Sequence, residues 1–148
     1  MTFCFLNVTQ NLAIIYCVCL LQQNVYFLQV LQSDGGLLSA CINASTLALI
    51  HAGVELVDYV CSCTTSIYKD TPMLDVTQLE SQSGSEVTFA MLPNKETTVS
   101  LHISNSVHKN QFKEVLELAV VGCQQVYQAM HAKVEEYLRN QHAIMSHR

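Results

Sequence analysis

QSDGGLLSA, residues 32 to 40, sets an acid and two glycines between a stretch of strand-forming residues and the start of a small-residue stretch. Ahead of it, VYFLQVLQ at 25–32 is aromatic and branched, the composition of a strand buried on both faces. Asp34-Gly-Gly36 breaks the strand. Behind it, Leu37, Cys41, Ala44, Ala48 and Ala52 recur at helical spacing, and Gly53 stands where a left-handed C-cap would end the helix. The unit is strand, glycine turn, helix. Its helix N-terminus offers free N–H groups and the positive end of a dipole, which attract anions, and glycine lets a ligand approach the backbone closely.

Strand character returns in VELVDYVCSCTTSI at 54–67, where Tyr59, Cys61, Cys63, Thr65 and Ile67 alternate with Val60, Ser62, Thr64 and Ser66. TPMLDVTQLE and the residues that follow read as further strands. Val87 to Leu92 and Thr98 to Ile103, joined by Pro93-Asn-Lys-Glu96, form an antiparallel hairpin. His102 faces away from Leu101 and Ile103, the usual position of a structural or solvent-exposed histidine.

From near Ser106, Phe112, Val115, Leu116, Ala119, Cys123, Val126, Met130, Val134 and Leu138 step by three or four, marking one long amphipathic helix that covers a sheet. Gly122 costs that helix roughly 1 kcal/mol against alanine, unless it marks a close packing contact. Residues 142–148 read as a frayed tail.

The totals narrow the functional classes. With 148 residues, half of them apolar and 13% charged, the chain is one domain or part of one, and disorder throughout is excluded. A net charge of −5 with only seven lysines and arginines argues against a free-standing nucleic-acid binder, whose affinity comes from clustered cations. Seven cysteines cannot all pair, and Cys17-x-Cys19 and Cys61-x-Cys63 lack zinc spacing. They read as small buried hydrophobes in a reducing compartment.

Residues 1–27 contain no charge and are largely apolar, but no positive n-region precedes them. Gln22, Gln23 and Asn24 interrupt the apolar stretch well short of the about twenty residues a membrane span needs. Of the two glycosylation sequons, at Asn7 and Asn43, the second falls inside the expected helix. No cofactor, metal or membrane contact is expected.

Three stretches together carry a resemblance: LQVLQSDGG at 28–36, ACINASTLALIHAGVELVDYVCSCT at 40–64 and TPMLDVTQLE at 71–80. In this order and spacing they resemble the RNase PH family, in particular the ribosomal-RNA-processing subunits of the eukaryotic exosome. The likeness covers 28–141 and corresponds to the second half of a family member. Residues 1–27 stand as an unrelated segment, so the expected domain is truncated at its N-terminus.

The resemblance implies an α/β fold of the ribosomal protein S5 domain 2 type, a mixed sheet with a helix after the glycine turn and a long C-terminal helix. It also implies partners, namely other exosome subunits of the RNase PH type and RNA held by the assembled complex, with residence in nucleus, nucleolus and cytoplasm. Active members cleave RNA from its 3′ end with inorganic phosphate. Their Gly-Gly is followed by Thr-Arg, whose hydroxyl and guanidinium fix the anion. Gly35 and Gly36 match, but Leu37 and Leu38 follow them.

The family's first acid matches Asp75, and the position of its partner holds Ser81. The even spacing would put both on one face of an extended segment, with Glu80 pointing the other way. Gly35 and Gly36 are therefore expected to be a vestigial phosphate site and Asp75 a vestigial catalytic position. The expectation is a non-catalytic structural subunit supporting 3′-to-5′ RNA processing and degradation. Its alternatives are an active phosphorolytic exoribonuclease, a non-functional fragment and a small secreted or membrane protein.

Overall fold

The structure is a computed structural model, and it describes residues 15–20, 25–69, 71–81 and 84–146. The sequon at Asn7 and most of the segment 1–27 lie outside the described residues. Element order is β1 (Ile15–Leu20), β2 (Val25–Val30), α1 (Leu37–His51), β3 (Cys61–Tyr68), β4 (Thr71–Leu74), α2 (Gln78–Ser81), β5 (Ser85–Leu92), β6 (Thr97–Ile103) and α3 (Lys109–Ser146). β1 and β2 form an antiparallel pair, and the remaining strands form a sheet ordered β4-β3-β5-β6. A mixed sheet was the expectation, yet every pairing among the described residues is antiparallel.

β3 is the centre of the molecule, and its alternation decides which helix each residue meets. Cys61 and Cys63 face α3, where they pack with Phe89, Met91, Ala119, Cys123 and Met130. Ser62 and Thr64 face α1. Covered on both sides, β3 is buried from Cys61 to Ser66, and two of its hydroxyls bond neighbouring carbonyls, Ser62 Oγ to Phe89 O at 2.9 Å and Thr65 Oγ1 to Val87 O at 3.2 Å. The fold is thus helix, sheet, helix, with β1 and β2 lying against α1.

α1 is fastened to β3 by polar side chains as well as by its alanines. Ala44 and Ala48 are fully buried, which permits close approach. Asn43 donates through Nδ2 to Ser62 O and accepts through Oδ1 from Ser62 N–H, both at 2.8 Å, and Thr46 Oγ1 donates to Val60 O at 2.8 Å. The sequon at Asn43 is therefore buried and has its amide engaged. Asn43→Ala should destabilise the fold by about 2 kcal/mol, because two buried backbone groups lose their partner. Urea denaturation of the variant checks this.

α3 has 38 residues and is about 57 Å long at the usual rise. Its stripe is buried at Val115, Ala119, Cys123 and Met130, as the spacing predicts, and it lies over β3, β4 and β5. Gly122 is a packing contact: a Cβ there would meet Cys63 Sγ at 2.7 Å and Leu74 Cδ2 at 2.9 Å. Beyond Met130 the helix runs past the sheet. Tyr137 packs on the His51 ring at the end of α1, with centroids 4.8 Å apart. The expected frayed tail is helical through Ser146.

The hairpin β5–β6 forms with a bulge opposite Ala90 and Met91. β6 is the sheet's edge and is exposed along its whole length, His102 included. β2 departs from expectation. It is a strand, but Leu28, Val30 and the following Leu31 are exposed, because among the described residues the two-stranded pair has α1 for cover and no second layer outside it.

Candidate functional site

The glycine turn and the segment after β4 are packed onto each other. Gly35 and Gly36 have φ of 105° and 54°, which an L side chain adopts only with strain. A Cβ on Gly35 would run into the Val76 carbonyl. Beside it, Gln78 N–H donates to Asp34 O at 3.0 Å, closing the contact. Asp75 turns the chain at φ 56° and donates its N–H to Thr64 O at 2.8 Å, which anchors this segment to β3.

Gly36 is the residue where the two candidate positions meet. A Cβ placed on it would lie 3.6 Å from Asp75 Oδ1, 3.6 Å from Thr64 Oγ1 and 3.4 Å from Ser39 Oγ. Beneath it runs a chain of hydroxyls: Thr64 Oγ1 donates to Ser39 Oγ at 2.9 Å, and Ser39 Oγ donates to Gly36 O at 2.7 Å. Thr88 Oγ1 lies 3.5 Å from Thr64 Oγ1. This hydroxyl chain was missed in the sequence, although Thr64 stands at a strand position that faces α1. Partial desolvation raises the Asp75 carboxyl above its ordinary pKa.

The acid pair is not built as the spacing predicts. An extended segment from Asp75 to Ser81 was expected. Instead β4 ends at Leu74, Asp75 turns, and α2 begins at Gln78 and closes at Ser81, so the face-sharing argument fails. Glu80 is occupied locally: Thr77 N–H and Thr77 Oγ1 both donate to Glu80 Oε2 at 2.8 Å. These bonds hold its pKa below the usual carboxylate value. Thr77-x-x-Glu80 is a helix N-terminal capping pattern, legible in the sequence and overlooked beside the acid spacing.

The α1 N-terminus has Gly36 as its cap residue and no side-chain cap bond. Its first-turn N–H groups therefore receive no bond from a capping side chain. The side chains that follow are Leu37 and Leu38, both exposed. Three cations sit elsewhere, on α3, in ion pairs with helix neighbours: Lys113 with Glu117, Lys133 with Glu136 and Arg139 with Glu135. Among the described residues no group of three or more His, Cys, Asp and Glu side chains could hold a metal ion, and no helix is long and apolar enough to cross a membrane.

Three thiols in the core are held protonated by burial. Desolvation pushes Cys61 up to about 12, Cys63 to about 11 and Cys123 to about 12. Of the four cysteines with described side chains, Cys41 alone is only half-buried. Treating the native chain with iodoacetamide at pH 7.5 should therefore modify Cys41 and spare Cys61, Cys63 and Cys123, as read by peptide mass spectrometry.

A model described as the 3′ exoribonuclease family, domain 2, matches residues 58–122, and domain 1 of the same family matches residues 23–55. The chain is 36% identical over 110 residues to the exosome complex component ski6 of Schizosaccharomyces pombe, and 39% identical over 111 residues to the exosome complex component RRP41 homolog of Arabidopsis thaliana. Each alignment takes in 74% of this chain and 46% of the relative. The human exosome complex component RRP41 is 32% identical over 114 residues, 76% of this chain and 46% of its own length. The chain therefore spans about half the length of the curated relatives it matches.

Among solved structures, rice (Oryza sativa) Rrp46 superposes with a TM-score of 0.69 at 20% identity, over 74% of this chain and 53% of that one. The cell-death-related nuclease 5 of C. elegans gives 0.69 at 16% identity, over 77% and 64%. At these identities the superpositions speak for the fold. By sequence and by fold, this chain carries domains of the RNase PH family of 3′ exoribonucleases.

Proposed function

We propose that the chain serves as a non-catalytic structural subunit of the RNA exosome, at the position of the ribosomal-RNA-processing component four, and supports 3′-to-5′ RNA processing and degradation through contacts with other subunits. Its ring neighbours are subunits of the RNase PH type, RNA reaches it only within the assembled complex, and it resides in nucleus, nucleolus and cytoplasm. The observation that carries this reading is the first turn of α1. There the glycine backbone persists, while Leu37 and Leu38 occupy the positions where active family members are expected to hold a hydroxyl and a guanidinium. Two isobutyl groups desolvate an anion and return no hydrogen bond. The carboxylate pair is incomplete as well, since Glu80 caps α2 and serine stands at 81.

Two measurements test the proposal. Purified chain incubated with RNA, inorganic phosphate and magnesium should release no nucleoside diphosphates above the background of the Asp75→Ala variant. Phosphate-dependent release that Asp75→Ala abolishes would restore the phosphorolytic reading, for which the closeness of Gly36 to Asp75 speaks. Affinity capture of the tagged chain from cells should recover exosome subunits, and their absence would remove the assembly half of the proposal.

A further inference from the structure

The two edges of the four-stranded sheet differ in how they are protected. β4, the outer strand on one side, has four residues and carries Pro72, and shortness and proline both blunt an edge. β6, on the other side, has seven residues, and from Thr97 to Ser104 the chain contains no lysine, arginine, aspartate, glutamate or proline. An uncharged edge of strand-forming residues offers its unpaired N–H and C=O groups to any strand that fits.

The bonding to β5 fixes which groups those are. Ser104 N–H donates to Glu86 O at 2.8 Å, while His102 lies opposite Thr88 and Ser100 opposite Ala90. Residues 100, 102 and 104 thus turn their backbone polar groups toward β5, and Leu101 and Ile103 turn theirs away from the sheet. This free edge is bounded at both ends. The register shifts at Val99, a bulge that bends the strand. After Ser104 the chain turns back over its own β5, where Asn105 Nδ2 donates to Gly84 O at 3.3 Å and Ser85 Oγ to Ser106 O at 2.6 Å.

The side chains of 100–104 match their own reversal. Leu101 is paired with Phe89 and Ile103 with Val87, which places both on the face that carries α3. Phe89 and Val87 are buried there, whereas Leu101 and Ile103 are each 41% exposed. Ser100, His102 and Ser104 lie on the other face. In an antiparallel ladder with His102 at its centre, Leu101 meets Ile103 of a second copy, Ser100 meets Ser104, and His102 meets its own equivalent. Apolar residues then face apolar and polar face polar. Leu101 and Ile103, whose backbone groups point outward, become the hydrogen-bonded pairs, and His102 takes the non-bonded position, with Cα atoms about 4.5 Å apart. A two-fold axis perpendicular to the sheet keeps α3 on the same face in both copies.

We propose that β6 pairs with β6 of a second copy of this chain, antiparallel and in the register centred on His102, so that two four-stranded sheets become one. The contact is small against the about 800 Å² per partner of a standard interface, so a dissociation constant on the order of 100 μM is expected. The pairing is independent of phosphate binding at the glycine turn.

Sedimentation equilibrium of the full chain over a concentration series, with amide hydrogen exchange at each concentration, tests this. A monomer–dimer equilibrium is expected, in which the Leu101 and Ile103 amides become protected as concentration rises while the His102 amide is protected throughout. His102 is exposed, so charge can be placed on the axis without disturbing the core. His102→Lys and His102→Asp should each weaken self-association about fivefold, because like charges then stand directly opposite. An equimolar mixture of the two variants should regain at least the affinity of the natural chain, a result that only a self-facing position gives.

A chain that stays monomeric throughout the series, a dimer indifferent to both substitutions, or a mixture that associates no better than either variant would each overturn the proposal. So would protection of Leu101 and Ile103 that appears only when exosome subunits are added, since the edge would then belong to a foreign strand.

Discussion

Gly35→Ala is expected to lower the stability of the fold by roughly 3 kcal/mol and its thermal midpoint by about 10 °C. Two costs add. The first is conformational: at φ 105° an alanine is strained by roughly 1 kcal/mol or more. The second is steric, because the new Cβ collides with the Val76 carbonyl, a backbone atom with little freedom to retreat. Asp75 N–H bonded to Thr64 O holds one side of that carbonyl's segment, and Gln78 N–H bonded to Asp34 O holds the other.

Gly53→Ala is the control for the first cost alone. It sits at φ 72° with nothing within 4 Å of a built Cβ, so it should cost only about 1 kcal/mol. Chemical denaturation of both variants separates the two terms. A Gly35→Ala variant no weaker than Gly53→Ala would mean that the glycine turn is not seated on the segment after β4, and the junction would lose its meaning as a site.

The parts of this fold that were legible in the sequence are those in which local pattern and burial agree. Alternation placed Cys61 and Cys63 on one face of β3, a three-four stripe placed Val115, Ala119, Cys123 and Met130 under α3, and the turn at 93–96 joined β5 to β6. Failures came where side-chain chemistry outweighs pattern. TPMLDVTQLE looks extended throughout, but Asp75 adopts a left-handed turn and the Thr77–Glu80 bonds cap α2, so the chain leaves the strand after Leu74. The composition of VYFLQVLQ marks a buried strand, and β2 is a strand whose cover on the second face is absent among the described residues.

At the site, the adjacency of Gly36 and Asp75 was not visible as spacing, since 39 positions separate them. It arises because β3 carries Thr64 under both, bonding the Asp75 N–H through its carbonyl and Ser39 through its hydroxyl. Such three-way contacts are properties of the fold rather than of any one segment. The hydroxyl chain Ser39–Thr64–Thr88 belongs to the same class, for each member reads in isolation as an ordinary strand or helix residue.

The double variant Leu37→Thr/Leu38→Arg is expected to create a phosphate site where the natural chain has almost none. The backbone requirements are already met: the first-turn N–H groups of α1 have no side-chain cap, and Gly36 at φ 54° makes the turn that leads into them. What is missing is a pair of groups that repay the anion for the water it sheds. A charge-assisted hydrogen bond contributes about 1.5–3 kcal/mol, so the arginine alone should tighten phosphate binding by roughly tenfold to a hundredfold, read from amide shifts of residues 36–40 during a phosphate titration. Fold stability should change by no more than about 0.5 kcal/mol, because both leucines are exposed.

Asp75 opposes the gain, since its Oδ1 borders Gly36 and repels an anion seated there. Adding Asp75→Asn should therefore strengthen phosphate binding further while leaving RNA phosphorolysis absent, because the only carboxylate close by in the sequence, Glu80, is engaged in capping α2. Should the natural chain bind phosphate as tightly as the double variant, the helix N-terminus alone would be sufficient, and the two leucines could no longer be read as the loss of an anion cradle.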